Sequence, residues 1–292
     1  MRHGLSVVIP AYNEEAGIQG VMGALLKSLS DLQPAVESEI IVVDDGSVDR
    51  TSDVVRGIDH DDVVLISHEV NRGYGAALKT GIRHARFDWV LITDADGTYP
   101  SSAIRDLFLE REGFDMIVGD RSGTANAIPL IRRPPKWLLQ KLASYLSRRQ
   151  IPDLNSGLRL IRHGAVEEFR HILPEGFSFT ATITLAMLSS GYNVKYVPIS
   201  YLKRKGTSKV RPIYDTLNFL RLIIRTIMYF DPLRVFVPLS LGFMLTSLLV
   251  GVASYVFLDK ILDSTTVLLF IAGIQLLAIG MLADVMNRRL GR

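Results

Sequence analysis

The chemistry in this 292-residue chain is concentrated at Asp94-Ala95-Asp96. These residues follow an apolar run, Trp89-Val90-Leu91-Ile92-Thr93, that reads as a strand. Two carboxylates one residue apart cannot both be buried without cationic partners to offset their desolvation. A divalent cation is such a partner, and hard oxygen ligands suit Mg²⁺ or Mn²⁺. Read alone, the pair fits an exposed turn with two solvated acids equally well. The elements around it decide.

The first 120 residues alternate short apolar runs with amphipathic stretches. Strands are expected at Leu5 to Pro10, Glu39 to Asp44, Val63 to Ser67, Trp89 to Thr93 and Met116 to Gly119, and helices at Ala16 to Leu32 and Tyr74 to Ala85. That rhythm predicts an α/β fold with a doubly wound, mainly parallel sheet. Such sheets bind ligands beyond the carboxyl ends of their strands. Pro10, Asp44-Asp45, Asn71-Arg72-Gly73 and Asp94-Ala95-Asp96 all fall there. Asp49 or Ser47 is available to cap the helix that opens near Thr51.

The tail is of another kind. Val235 to Leu258 and Ser264 to Ala283 carry no charge, and each is long enough to cross about 30 Å of hydrocarbon. The short link Asp259 to Asp263 makes them a transmembrane hairpin. Arg221, Arg225 and Arg234 precede it, and Arg288, Arg289 and Arg292 follow. The positive-inside rule then places both flanks and the large domain in the cytoplasm. Pro134 to Arg149 and Ile213 to Phe230 mix apolar, aromatic and basic residues, as amphipathic helices at a lipid headgroup boundary do. Packing against the domain is the alternative for both. The expected division is 1–212, 213–230 and 231–292.

Charge is unevenly spread. Residues 1–120 carry 10 Lys/Arg against 21 Asp/Glu, residues 121–230 carry 18 against 5, and residues 231–292 carry 5 against 4. A basic middle implies an anionic surface or ligand. The adjoining apolar tail favours lipid over nucleic acid as that partner. There is no cysteine, which excludes disulfides and thiol chemistry, and the six histidines show no ligand spacing. The first residues lead into a strand-like segment without a signal-peptide pattern.

Val8-Ile9-Pro10-Ala11-Tyr12-Asn13-Glu14-Glu15, Val43-Asp44-Asp45-Gly46-Ser47-Val48-Asp49-Arg50-Thr51 and Asp94-Ala95-Asp96 lie in this order at successive strand ends. Together they resemble the family 2 glycosyltransferases of the GT-A fold. Gly119-Asp120-Arg121, Asn155-Ser156-Gly157-Leu158-Arg159 and Arg204-Lys205-Gly206-Thr207-Ser208-Lys209 extend the resemblance to the polyprenyl-phosphate branch. It covers about residues 5 to 230, with a hairpin appended as in bacterial members.

The resemblance implies Pro10, Tyr12, Glu14 and Asp44 at the nucleoside, Ala95 within the donor site, and Asp94 and Asp96 at Mg²⁺ or Mn²⁺ on the diphosphate. Asp45 and Asp49 remain turn and cap residues. Arg121 and one of Arg132 or Arg133 would meet the lipid phosphate. Arg204, Ser208 and Lys209 would close over the diphosphate, with Asp94, Asp96, Arg121 and Arg204 carrying catalysis. Guanidinium forks suit phosphate oxygens. Relatives commonly continue Asp-Ala-Asp with Leu-Gln, where the Gln also helps bind metal. Here Gly97-Thr98 follows, which makes Thr98 or water the third ligand.

The implied reaction moves a hexose from a nucleotide-diphosphate sugar to a polyprenyl phosphate, with inversion. Two-span bacterial relatives often use UDP-sugars and mannose synthases use GDP-mannose, which leans the donor to UDP. Hairpins in this family can assemble, so a homo-oligomer is compatible. A processive glycan synthase would carry Gln-x-x-Arg-Trp, and neither Trp89 nor Trp137 sits in one. A dinucleotide oxidoreductase would need a third glycine where Leu78 stands after Gly73-Tyr74-Gly75. A non-catalytic membrane protein that binds nucleotide-sugar is the remaining rival.

Overall fold

The computed structural model describes residues 2–32, 36–121, 123, 140–145, 147–202, 212–258 and 263–290. The apolar run at the start of the chain forms β1 (Arg2–Ala11), which is buried on both sides from Gly4 to Ile9. Near-continuous apolar strands suit a sheet covered on both faces. Along β1, Leu5, Val7 and Ile9 meet α1 (Ile18–Ser30) through Ile18, Met22 and Leu25, while Val8 faces the opposite side.

The other strands are β2 (Ser38–Asp44), β3 (Val63–Ser67), β4 (Phe87–Ile92), β5 (Met116–Asp120), β6 (Arg159–Arg162) and β7 (Val194–Pro198). Their order across the sheet is β3-β2-β1-β4-β6-β5-β7. Only β6 runs antiparallel to its neighbours, β4 and β5. The five expected strands are present within three residues of their predicted ends. β6 and β7 lie outside that expectation, because Arg159 and Arg162 bracket just two apolar residues in β6.

Helices α1 and α4 (Ser102–Leu109) cover one face, and α3 (Tyr74–His84) and α6 (Phe179–Ser189) the other. Short helices α2 (Thr51–Arg56) and α5 (His163–Glu168) follow β2 and β6. Helix α6 is buried around its whole circumference apart from Ser189. It therefore needs a second cover, which α7 (Pro212–Phe230) supplies.

Ile223 and Ile227 of α7 pack on Ala181, Leu185 and Leu188 of α6, while Arg221 and Arg225 stay exposed. Part of the apolar face expected at a lipid boundary thus packs on protein, and Leu220, Ile224 and Met228 remain half-buried beside it. Of the basic segment 134–149, residues 134–139 and 146 lie outside the described residues. Its Ala143 is fully buried against the same cluster, with Tyr145 exposed.

Two long helices end the chain, α8 (Leu233–Leu258) and α9 (Asp263–Leu290). Ser240, Ser247 and Ser254 recur every seven residues on α8 and are buried, and Thr266, Gly273 and Gly280 recur likewise on α9. A seven-residue period holds one seam between two helices, and small residues let the backbones approach. The Ser240 hydroxyl donates to the Gly273 carbonyl at 2.7 Å, and Ser247 to that of Thr266 at 2.7 Å. The outward Leu241, Leu245, Leu248 and Leu249 are exposed.

The hairpin is fastened to the domain. Asn287 Nδ2 donates to the Met228 and Tyr229 carbonyls, at 2.9 and 2.8 Å, where α7 ends. The Tyr229 hydroxyl in turn meets His171 Nε2 at 3.0 Å, and the Phe230 ring packs edge-on against Phe169.

Candidate active site

The carboxyl ends of β1 and β2 are stitched together by their own loops. Asn13 adopts φ +57° and its side chain accepts the Val48 N–H at 2.9 Å, while its own N–H reaches Ser47 Oγ at 2.9 Å. Glu14 N–H donates to Thr51 Oγ1 and Glu15 N–H to Asp49 Oδ2. Asp49 also accepts the Thr51 N–H at 3.0 Å from one residue before the N-cap position, which Arg50 holds without a side-chain bond, and Ser47 serves the neighbouring loop. Burial raises the Asp49 carboxyl, and the Thr51 hydroxyl, followed by the N–H groups aimed at it, brings it below the usual range.

Beneath this pair of loops lie two buried acids. Asp44 accepts the Ser47 N–H at 3.1 Å and the Ser52 hydroxyl. Asp45 does more than form a turn. Its carboxylate accepts the N–H groups of Arg72 and Gly73 at 3.0 and 2.8 Å and meets His68 Nδ1 at 2.7 Å. It thereby pins the β3–α3 loop against β2. Gly73 takes φ +104°, and a Cβ there would stand 2.6 Å from the Glu175 carbonyl. Pro10 is half-buried, whereas Tyr12 is 42% exposed at the mouth.

Asp94 sits just past β4, in a cradle. The Tyr74 hydroxyl, from the first turn of α3, donates to its Oδ1 at 3.0 Å. On its other side is Gly157, where a Cβ would lie 2.6 Å from Asp94 Oδ2. Gly157 N–H donates to the Tyr99 hydroxyl at 2.7 Å, and Arg121 Nη1 reaches the same oxygen at 3.3 Å. Burial, then the Asp94 charge, pushes the Tyr74 phenol well up. The same two causes, opposed by Arg121, push Tyr99 up to about 12. Both phenols stay protonated at neutral pH, which keeps Tyr74 a donor to Asp94.

The shift has a consequence for stability. A phenol whose folded pKa exceeds its unfolded value of about 10 stabilises the fold below pH 10 and loses that contribution as pH rises towards 12. Thermal unfolding followed from pH 9 to 11.5 will show a steep loss, and the slope will be shallower in Tyr99→Phe.

Asp96 is held from behind. Thr98 N–H and hydroxyl both donate to its Oδ1, at 3.1 and 2.7 Å, and Thr98 is buried. Thr98 therefore stands as a brace for Asp96, with its hydroxyl proton committed. Among the described residues no group of three or more His, Cys, Asp or Glu could hold a metal. Two carboxylates with a hydroxyl behind one of them fit a hard cation that takes its other oxygens from water and a substrate's phosphates, as Mg²⁺ does. Gly157 leaves the room that Asp94 occupies, so Gly157→Ala will displace the carboxylate. A displacement near 1 Å lowers turnover by about 10²-fold, and the crowding itself costs about 1–3 kcal/mol of stability.

Arg121 follows β5 with its fork filled. Nε and Nη2 donate to Asp153 Oδ2 and Oδ1 at 2.6 and 2.9 Å, and the Tyr201 ring lies under the guanidinium at 5.3 Å. Burial works against its charge, and the Asp153 carboxylate more than restores it. Arg132, Arg133, Arg204, Ser208 and Lys209 lie outside the described residues.

The pattern of glycosyl transferase family 2 matches residues 6–170, which hold every strand-end loop described above. A dolichyl-phosphate hexose transferase of Haloferax volcanii is 30% identical over 210 residues, 71% of this chain and 87% of that protein. The chain belongs to glycosyl transferase family 2. This glycosyltransferase also matches the GtrB C-terminal hairpin over residues 231–288, which are α8 and α9. Both helices are long and apolar enough to cross a membrane. A bactoprenol glucosyl transferase of Shigella phage SfV is 28% identical across 97% of this chain and 93% of its own length. Glucosyl-3-phosphoglycerate synthase from Mycobacterium tuberculosis, solved with Mn²⁺, UDP and phosphoglyceric acid, shares the fold at TM-score 0.59 and 18% identity, over 77% of this chain and 78% of that one.

In this glycosyltransferase the fold brings Pro10, Tyr12, Glu14, Asp44, Asp94, Ala95 and Asp96 to one sheet edge. Tyr74, Tyr99, Asp153 and Gly157 complete it without having been assigned a part from sequence. Asp153 left a signal, as one of just five acids in the basic stretch 121–230. The tyrosines left none, since each meets its partner across 20 to 58 residues of chain.

Proposed function

We propose that this glycosyltransferase moves a hexose from a UDP-sugar to a polyprenyl phosphate at the cytoplasmic face of a membrane. The observation that carries this is the rigid tie from Asn287 to the end of α7, which joins a sugar-nucleotide fold to a membrane hairpin. The full-length likeness to a bactoprenol glucosyl transferase supports the same reading, and the UDP held by the mycobacterial fold relative supports the base.

In this reading Pro10, Tyr12, Glu14 and Asp44 surround the nucleoside, and Asp94, Ala95 and Asp96 face the diphosphate. Asp94 and Asp96 would hold Mg²⁺ or Mn²⁺, which supplies positive charge to the leaving diphosphate. The acceptor needs no general base, because a phosphate monoester is already anionic at pH 7, its second pKa being about 6 by analogy with phosphoamino acids. What it needs is positioning and relief from repulsion by the donor. Arg132 or Arg133 would take the acceptor phosphate, and Arg204, Ser208 and Lys209 would close over the diphosphate. Arg121, its fork filled by Asp153, holds the loop that carries Gly157 and adds one N–H to the site. The acceptor oxygen forms a bond to the anomeric carbon as the bond to the diphosphate breaks, with inversion and release of UDP.

The test offers purified full-length protein UDP-glucose, UDP-GlcNAc or GDP-mannose with a short polyprenyl phosphate and Mn²⁺ or Mg²⁺. A mild-acid-labile glycolipid from a UDP-sugar is expected. A product from GDP-mannose alone would move the donor, and no product from any pair would leave a nucleotide-sugar-binding membrane protein.

A further inference from the structure

Residues 1–120 are strongly acidic, yet three of their ten cations gather in one place. Arg72, Lys79 and Arg83 line the outer side of α3 and its entry. Arg170, from the connection after α5, forms the facing wall with Glu175. Together they border an open surface cavity of about 260 Å³. Lys79 and Arg83 are four residues apart on one helix, a like-charge spacing that costs helix stability. Neither they nor Arg72 form an ion pair among the described residues. Arg170 has one partly exposed partner, Glu167, at 3.4 Å. Four cations against one lining carboxylate make a site for a phosphate-bearing anion.

Two neighbours of the cavity specify its source. Arg170 adjoins His171, which meets Tyr229, and the Tyr229 carbonyl is held by Asn287 at the end of the second span. One wall is thus two side chains from the place where the hairpin leaves its apolar stretch. Phe177, two residues beyond Glu175, is 80% exposed, with one face stacked on Tyr74 at 5.5 Å. An exposed aromatic ring beside clustered cations suits an amphiphile at a membrane surface.

We infer that this cavity binds the headgroup of an anionic bilayer phospholipid, with Phe177 against the acyl region. It lies on the outer flank of α3, whereas Asp94 is approached through Tyr74 at the start of that helix. The bound lipid would hold α3 and the 170–178 connection down on the bilayer.

Native mass spectrometry of the full chain in detergent, titrated separately with phosphatidylglycerol, phosphatidylcholine and inorganic phosphate, tests this without recourse to turnover. Phosphatidylglycerol is expected to remain bound where phosphatidylcholine does not. Lys79→Glu/Arg83→Glu is expected to weaken that retention about tenfold or more, and the control Arg56→Glu/Arg105→Glu to leave it unchanged. Should the reversed charges unfold the protein, Lys79→Gln/Arg83→Gln is expected to show the same loss in smaller measure. Equal retention by native protein and either folded variant would overturn the inference. So would displacement of phosphatidylglycerol by millimolar inorganic phosphate, which assigns a soluble anion. A loss of polyprenyl phosphate retention in the folded Lys79→Glu/Arg83→Glu variant would overturn it too, since the cavity would then belong to the acceptor.

Discussion

Asp96→Asn will lower turnover by about a thousandfold with donor and metal saturating. The reason lies in which oxygen Thr98 already occupies. Its N–H and hydroxyl both donate to Oδ1. An amide at this position keeps its one acceptor oxygen on Thr98 and turns its NH₂ outward, where a cation requires a lone pair. Loss of that charge at a diphosphate leaving group amounts to roughly 4 kcal/mol, or three powers of ten in rate. Steady-state rates across a Mn²⁺ titration check this. Native turnover by the variant at saturating metal would show that Asp96 is not part of the reaction.

Arg159→Met will lower stability by about 1–3 kcal/mol, although residue 159 touches no acid. Arg159 is 0% exposed. Its Nε and Nη2 donate to the Ser156 carbonyl at 2.9 and 2.6 Å, and its Nη1 to Thr180 O and Thr184 Oγ1 at 2.9 and 2.7 Å. Burial draws its pKa down, against the pull of Tyr196, Tyr74 and Asp153. Methionine fills similar space without donors and strands the Ser156 carbonyl, worth about 1–3 kcal/mol when buried and unpaired, whereas the Thr180 carbonyl keeps the Thr184 hydroxyl at 2.8 Å. Thermal unfolding in detergent should fall by roughly 3–10 °C. A Met variant as stable as the native chain would mean that water or a shifted loop satisfies that carbonyl.

The two predictions share a lesson about what a sequence displays. The acids at 44, 45, 94 and 96 stand beside apolar runs, and a run of that kind announces both the strand and its end. The hairpin was equally open to view, because hydrocarbon excludes charge over a length anyone can count. Arg159 was visible as part of a motif, but its burial against α6 was not, since nothing in Arg-Leu-Ile-Arg says that a guanidinium will face backbone carbonyls. Helix α7 shows the same limit. Its periodicity declares one apolar face, and either lipid or α6 satisfies that declaration. Tyr74, Tyr99 and Asp153 acquire their parts through contacts across the sheet edge, which no local pattern encodes.

Helix α9 sets a height. Its uncharged stretch from Ser264 to Ala283, at about 1.5 Å per residue, is about 30 Å long, the thickness of the hydrocarbon layer. The helix continues unbroken to Leu290, which adds about 10 Å more. Asn287 grips the end of α7 within that extension. The catalytic domain is therefore mounted on a stiff post whose free length matches the headgroup zone, instead of hanging from a tether. A tethered enzyme would search for its lipid; a post-mounted one keeps its binding edge at a single level, and the phosphate must come to it by diffusing in the plane.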